Sequence, residues 1–241
     1  MSEPIQPDPV TPSRSTTARP GHLSMLVVHC DSLQLKKDQL HLGSEVSIAR
    51  SAAKLLSNFE AVVTVIDGTN RDSLIVDLAG LGDRQFDVVY MVGHSNATGL
   101  RIASDPDVGF IGWDELCDYL RPFKPRRLVL AACQAGRFPA AKALFDGVGS
   151  LQQIVASPVN ASKNHARLLL SVATITMDAP IPVELLRICQ GIGTVLGGQL
   201  RYWGREDMND PSGQLFDLAS DLLQPGVRYI ADVLTELLKD K

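Results

Sequence analysis

Short apolar runs alternate with amphipathic segments along most of the chain. The runs are four to seven residues long and rich in β-branched side chains, a pattern typical of buried strands. They predict strands over Ser24–Cys30, Ala61–Ile66, Asp87–Val92, Leu128–Ala132 and Ile154–Ser157.

The segments between the runs carry apolar residues at helical spacing. They predict helices over Gly43–Phe59, Asp72–Leu81, Trp113 to Leu120 and Ala140–Asp146, with a small hairpin starting at Leu100–Ile102. Strands that are apolar throughout and alternate with helices indicate a mainly parallel sheet covered on both faces. Right-handed crossovers then give a three-layer α/β sandwich.

The pattern is weaker at both ends of the chain. Residues 1–22 are rich in Pro, Ser and Thr and predict a disordered leader, so that residues 23–241 form a single α/β domain. Beyond Pro158, Ala161–Met177 predicts a helix leading into a strand, and Val183–Leu200 a helix interrupted by glycines. A stripe of apolar residues from Ile230 to Leu238 predicts a last helix packed onto the sheet.

Composition and charge exclude several classes of protein. Hydrophobic residues make up 45% of the 241 positions, enough for a sizeable core. The net charge is −4 with no block of five like charges, which argues against a nucleic-acid partner. No apolar run reaches 18 residues and no signal peptide is evident, so we expect a soluble protein with no membrane partner. The four cysteines form no C-x-x-C pair, which favours a reducing, cytoplasmic location.

Two chemically reactive residues follow consecutive predicted strands. His94 comes after the third strand and Cys133 after the fourth, 39 positions later. Side chains just beyond the carboxyl ends of neighbouring parallel strands share one edge of the sheet. An imidazole can take the proton of a thiol there and leave a nucleophilic thiolate. The backbone N–H groups of Cys133 and Ser95 are then candidate donors to an oxyanion.

The residues around this pair resemble a known family. DVVYMVGHSNATGLRI (Asp87–Ile102) and RLVLAACQAG (Arg127–Gly136) are similar, in order and spacing, to the caspase-like (clan CD) cysteine peptidases, especially their bacterial CHAT branch. The resemblance implies a caspase-like fold, with His94 as general base and acid and Cys133 as nucleophile. The family favours glycine after the histidine, where this chain has Ser95. That departure favours either a narrowed pocket or a lost activity.

The resemblance also suggests a substrate preference. In this fold the end of the first strand lines the pocket for the residue before the scissile bond, and here that end reads His29-Cys30-Asp31-Ser32. We expect Asp31 to pair with an Arg or Lys of the substrate.

The remaining candidates favour structural roles. We expect Cys30, Cys117 and Cys189 to be structural, and Trp113 and Trp203 to be packing residues. The spacing of His29, Cys30, His94 and Cys133 matches no standard zinc pattern, so no metal and no cofactor are expected.

Three functions follow from these observations. The first is a cysteine endopeptidase acting on a protein or peptide. By family analogy it is latent until a protein or small-molecule signal activates it, and it serves as a bacterial, antiviral defence effector. Asn96–Gly112 is its candidate mobile element. The second is a non-catalytic caspase-like module that binds a peptide, a nucleotide signal or a protein partner in the strand-end crevice. The third is a flavodoxin-like or Rossmann-like domain with an unrelated small ligand.

Overall fold

The fold is built around a six-stranded sheet, which a computed structural model describes over residues 22–38, 42–57, 60–102, 109–157 and 201–209. The strands are β1 His22–His29, β2 Glu60–Asp67, β3 Val88–Val92, β4 His94–Asn96, β5 Gly99–Arg101, β6 Phe110–Gly112, β7 Arg127–Ala131, β8 Gln153–Ala156 and β9 Arg201–Gly204. The main sheet has the order β2-β1-β3-β7-β8-β9, and β4-β5-β6 form a second, smaller sheet. The first five strands of the main sheet run parallel, and β9 pairs antiparallel with β8.

Helices cover both faces of the main sheet. They are α1 Ser32–Lys37, α2 Ser44–Ser57, α3 Arg71–Gly80, α4 Trp113–Leu120 and α5 Phe138–Gly147, with 3-10 turns at Arg121–Phe123 and Arg205–Asn209. Side chains of α1 and α2 pack with one face of β1, β3 and β7. Side chains of α3, α4 and α5 pack with the opposite face. The predicted three-layer α/β sandwich with a mainly parallel sheet is therefore confirmed.

Each predicted strand of the parallel sheet is present, with ends shifted by one or two residues. β1 begins at His22, which is exposed, and already buries Leu23. The six-residue helix α1 and the strands β4 and β9 were not predicted. Among the described residues, no helix is long and apolar enough to cross a membrane.

The described part of Asn96–Gly112, the segment expected to be mobile, contributes three short strands. β5 pairs antiparallel with β4 and β6, and the indole N–H of Trp113 donates to the Ala97 carbonyl at 3.0 Å. A Cβ at Gly99 would lie 2.1 Å from the Ile111 carbonyl oxygen, so this sheet requires a glycine at that position. The described parts of this segment thus belong to a small antiparallel sheet beside the strand ends, and the mobility expected for the segment stays a prediction.

Several predicted segments lie outside the described residues. They are most of the leader at residues 1–21, and the segments Ala161–Met177, Val183–Leu200 and Ile230 to Leu238. Cys189 lies outside them as well.

Candidate active site

His94 and Cys133 lie at the same edge of the main sheet. β3 and β7 are neighbouring parallel strands, with Val92 aligned to Ala131. The N–H of Gly93 continues this pairing by donating to the Ala131 carbonyl at 3.3 Å. His94 and Cys133 each follow their aligned strand residue by two positions. The predicted proximity of the two strand ends is therefore confirmed, and the dyad itself stays a prediction.

Gly93 allows the ends of β1 and β3 to approach closely. The N–H of Cys30 donates to the Val92 carbonyl at 2.8 Å. A Cβ at Gly93 would lie 2.8 Å from the Cys30 Cβ, a distance that side chains do not tolerate. The glycine before His94 is thus required by packing between the strands.

Ser95, the residue that departs from the family pattern, links the two loops of the site. Its hydroxyl donates a hydrogen bond to the carbonyl of Cys133. The extra side chain is therefore accommodated by a specific contact, which connects the residue after His94 to the backbone of Cys133.

The turn after Cys133 is held in an unusual conformation. Gln134 has φ 58°, in the left-handed region that a side chain disfavours by about 1–2 kcal/mol. Gly136 fixes the turn from both sides: its N–H donates to the Ser157 carbonyl at 2.8 Å, and its carbonyl accepts from the Trp203 indole at 2.9 Å. The turn is thereby tied to the ends of β8 and β9, and Trp203 is a packing residue as predicted.

His94 also has a partner that the sequence analysis did not identify. Its Nε2 lies 2.7 Å from Oδ2 of Asp38, the residue directly after α1. The two side chains are 39% and 38% exposed, so solvent and a substrate can reach the pair. A signal for α1 was present, because Asp31 and Gln34 have the spacing of an N-cap and its third helical residue.

Asp31, the predicted substrate-binding residue, lies just beyond β1 at the same edge. It is 5% exposed and has φ 58°. Its carboxylate caps α1 by accepting from the Gln34 N–H at 3.3 Å. The structure thus gives Asp31 a capping role, and its role towards a substrate stays a prediction.

The described cysteines differ sharply in their surroundings. Cys30 and Cys117 are buried, whereas Cys133 is partly exposed. Burial, reinforced by the charge of Asp31, raises the pKa of Cys30 to about 12. Burial, reinforced by Asp114, raises the pKa of Cys117 to about 11. These two thiols fit the structural roles predicted for them.

A second histidine at this edge is buried among carboxylates. His29 ends β1 and is 2% exposed. Its Nδ1 is hydrogen-bonded to Asp67, and its Nε2 lies 3.7 Å from Glu45, at ion-pair distance but beyond a hydrogen bond. Burial opposes a charge on this ring, but the two carboxylates outweigh it and raise the pKa of His29. Burial likewise opposes the charge of Glu45, and the contact with His29 outweighs it and lowers the pKa of that carboxyl.

Metal ligation has no support in the part of the chain that the structure describes. No group of three or more His, Cys, Asp or Glu side chains there could hold an ion.

Comparison with known proteins finds similarity in the fold but not in the sequence. No protein-family model matches the sequence, and no curated protein is significantly similar to it. An inactive zymogen of a C11 protease from Parabacteroides distasonis superposes with a TM-score of 0.50 at 11% identity, covering 81% of this chain and 65% of that one. The chain thus spans about 65% of the length of that protein.

Two structures from Bacteroides thetaiotaomicron are also similar. A secreted C11 cysteine protease in complex with an irreversible peptide inhibitor has a TM-score of 0.51 at 9% identity, covering 77% of this chain and 67% of that one. A structure of a secreted C11 cysteine protease called iotapain has a TM-score of 0.52 at 7% identity, covering 79% and 68%. The CHAT branch named from the sequence stays a prediction, since these neighbours are C11 proteases. The chain has the fold of the caspase-like (clan CD) cysteine proteases, to which the C11 enzymes belong.

Proposed function

We propose that this chain is a cysteine endopeptidase in which His94 and Cys133 form the catalytic dyad. The observation that carries the proposal is the alignment of β3 with β7, which brings both residues to one edge. The fold, shared with cysteine proteases, agrees with it. Both side chains are partly exposed, as groups that meet a substrate must be.

The chemistry follows from the two groups. The His94 imidazole takes the proton of the Cys133 thiol, and the thiolate attacks the carbonyl carbon of the scissile bond. The N–H groups of Cys133 and Ser95 donate to the oxyanion that develops. His94 then gives its proton to the leaving amine, and water hydrolyses the thioester.

The direct test is cleavage of a fluorogenic peptide library by the wild type and two single variants. We expect Cys133→Ala to abolish cleavage, and His94→Ala to lower kcat by about 10²–10⁴-fold because the general base is lost. His22→Ala is the matched control, since this exposed histidine pairs with Glu60 at the start of β1, away from the strand ends. Cleavage that survives in Cys133→Ala would exclude the proposal.

We propose further that the enzyme cleaves after basic residues, with Asp31 as the recognition group. The residue lies just beyond β1, which pairs with β3, so its position suits a pocket beside the dyad. A buried carboxylate can form a strong pair with a guanidinium that enters such a pocket. Asp31→Asn should then raise KM for Arg and Lys peptides. Cleavage by the wild type only after Asp or apolar residues would contradict this preference.

Latency is a further part of the proposal. One of the similar C11 structures is an inactive zymogen, and a protease acting in the reducing cytoplasm must be restrained. We expect weak cleavage by the purified chain and an increase when an activating protein or small-molecule signal is added. The role in bacterial antiviral defence rests on the family resemblance alone.

The alternative function is a non-catalytic module that binds a peptide, a nucleotide signal or a protein partner in the same crevice. Ser95 favours this alternative, because its hydroxyl donates a hydrogen bond to the Cys133 carbonyl, beside the predicted oxyanion position. The variant Ser95→Gly distinguishes the endopeptidase from the non-catalytic module. An inactive wild type that gains cleavage in Ser95→Gly would show that the chain keeps the dyad and that Ser95 suppresses its activity.

A further inference from the structure

The contact between Asp38 and His94 joins two distant parts of the chain. The carboxylate Oδ2 and the imidazole Nε2 are 2.7 Å apart, across 56 positions of sequence. Asp38 directly follows the helix α1, and His94 is the first residue of β4. Such a contact fixes the direction in which the imidazole ring points.

We infer that Asp38 is a positioning residue for His94, an inference that rests on the proposed peptidase function. A carboxylate has no proton to give and only accepts. The proton of the neutral imidazole must therefore reside on Nε2, and the lone pair on Nδ1 is left free. That nitrogen is the one that can take the thiol proton of Cys133, so the contact selects the tautomer that the chemistry requires.

Asp38 is itself held in place by the end of α1. Its N–H donates to the Gln34 carbonyl at 2.9 Å, and its Oδ1 accepts from the Gln34 side chain at 3.1 Å. The two carboxylate oxygens thus have separate partners, Gln34 on one and His94 on the other. The start of α1 is fixed as well, since the Ser32 N–H donates to the Gly68 carbonyl at 2.7 Å and Leu35 is fully buried.

Two other interpretations of the contact between Asp38 and His94 predict different results when the contact is removed. A surface ion pair with no role would leave catalysis unchanged. A contact that holds His94 away from its task would suppress activity, and its removal would raise kcat. Positioning alone predicts a fall in kcat together with a change in the tautomer of His94.

The experiment compares Asp38→Ala, Asp38→Asn and Asp38→Glu by peptide-cleavage kinetics. We expect Asp38→Ala to lower kcat by roughly 10- to 100-fold, the range seen when a partner that orients a histidine is removed, with little change in KM. Asp38→Asn keeps an oxygen that can accept from Nε2, and Asp38→Glu keeps the charge, so both should retain more activity. Asp146→Ala is the control, because it removes an exposed ion pair with Lys142 at 2.8 Å at the far end of α5.

A second readout does not depend on cleavage. The tautomer of His94 is measured from its ring ¹⁵N shifts at alkaline pH in a Cys133→Ala background, with and without Asp38→Ala. We expect the Nε2–H form to dominate when Asp38 is present and a mixture of tautomers when it is absent. This measurement still decides the role of Asp38 if the wild type cleaves no peptide, which would count against the proposed function only.

Several outcomes would overturn the inference. They are an unchanged kcat in an active enzyme after Asp38→Ala, a raised kcat, or tautomer populations that do not respond to Asp38. A loss of activity that Asp146→Ala reproduces would also do so, since it would show a general response to removing a surface charge.

Discussion

Thiol reactivity is the property that distinguishes the three described cysteines most sharply, and it can be measured without a substrate. The chain is labelled with iodoacetamide at pH 7.5 in a Cys189→Ser background, and the modified positions are followed by mass spectrometry. We expect Cys133 to be labelled first, with Cys30 and Cys117 labelled far more slowly. The thiolate is the reacting form, so the comparison depends on ionisation and access.

The difference in ionisation follows from burial. An ordinary thiol with a pKa near 8.5 is about one-tenth ionised at pH 7.5. With the pKa of Cys30 raised to about 12 and that of Cys117 to about 11, their ionised fractions at pH 7.5 are on the order of 1 in 30,000 and 1 in 3,000. Ionisation alone thus lowers their rates by roughly 300- to 3,000-fold relative to an ordinary thiol. Both rates should rise about tenfold per pH unit between pH 6 and 9, because both pKa values lie above that range.

The same assay tests the dyad. We expect His94→Ala to lower the Cys133 rate by roughly tenfold, because the imidazole proposed to take the thiol proton is lost. The His22→Ala control should leave the rate unchanged. Labelling of Cys30 or Cys117 as fast as Cys133 in the native protein would refute the reasoning from burial. A Cys133 labelling rate that is unchanged in His94→Ala would refute the pairing of His94 with Cys133.

Three predictions concern the supports of the site. The pKa of His29 is raised above its ordinary 6.5. The stabilisation of the fold that the protonated His29 ring contributes is therefore complete below pH 6.5 and is lost as pH rises through the raised pKa. The pKa of Glu45 is lowered. The stabilisation of the fold that its carboxylate contributes is therefore complete above the ordinary pKa of a glutamate and is lost as pH falls through the lowered pKa. Glu45→Gln should therefore lower the free energy of unfolding by about 1–3 kcal/mol near pH 6, since His29 keeps its hydrogen bond to Asp67, and reduce both slopes in urea titrations; an unchanged curve would contradict this. Gly93→Ala should cost about 1–3 kcal/mol because its Cβ meets Cys30, and a wild-type melting temperature would disprove that clash. At Gln134, glycine should be neutral to slightly stabilising and valine destabilising by more than about 1 kcal/mol, and equal stabilities would show that the left-handed turn relaxes freely.

The sequence predicted those features that depend on local pattern. A run such as Val88–Val92 is apolar on both faces because it is buried on both, and such runs located the parallel strands. The position of each reactive residue after its strand then determined the edge on which it lies. This pattern alone identifies His94 and Cys133 as candidates for one site.

Features that depend on distant contacts could not be predicted. α1 is only six residues long, too short to show a helical period, so only the spacing of Asp31 and Gln34 could have indicated it, and Asp38 had no assigned position. β9 pairs with β8 across more than 40 residues, and nothing in Arg201–Gly204 identifies its partner. The bend at Gln134 is imposed by contacts made with Gly136 from β8 and β9. In each case a contact from elsewhere in the fold determines the local conformation.

Among the described residues, the carboxyl edge of the sheet carries His29 beside two carboxylates and His94 beside one, and the two rings differ in burial. His29 is 2% exposed, between Glu45 and Asp67, so a substrate cannot reach its ring. His94 keeps 39% of its side chain exposed while Asp38 holds one nitrogen, so its other nitrogen is available to a neighbour. A general base must be both oriented and accessible. His29 meets only the first requirement and His94 meets both, which is the physical reason for proposing His94 as the base and a structural role for His29.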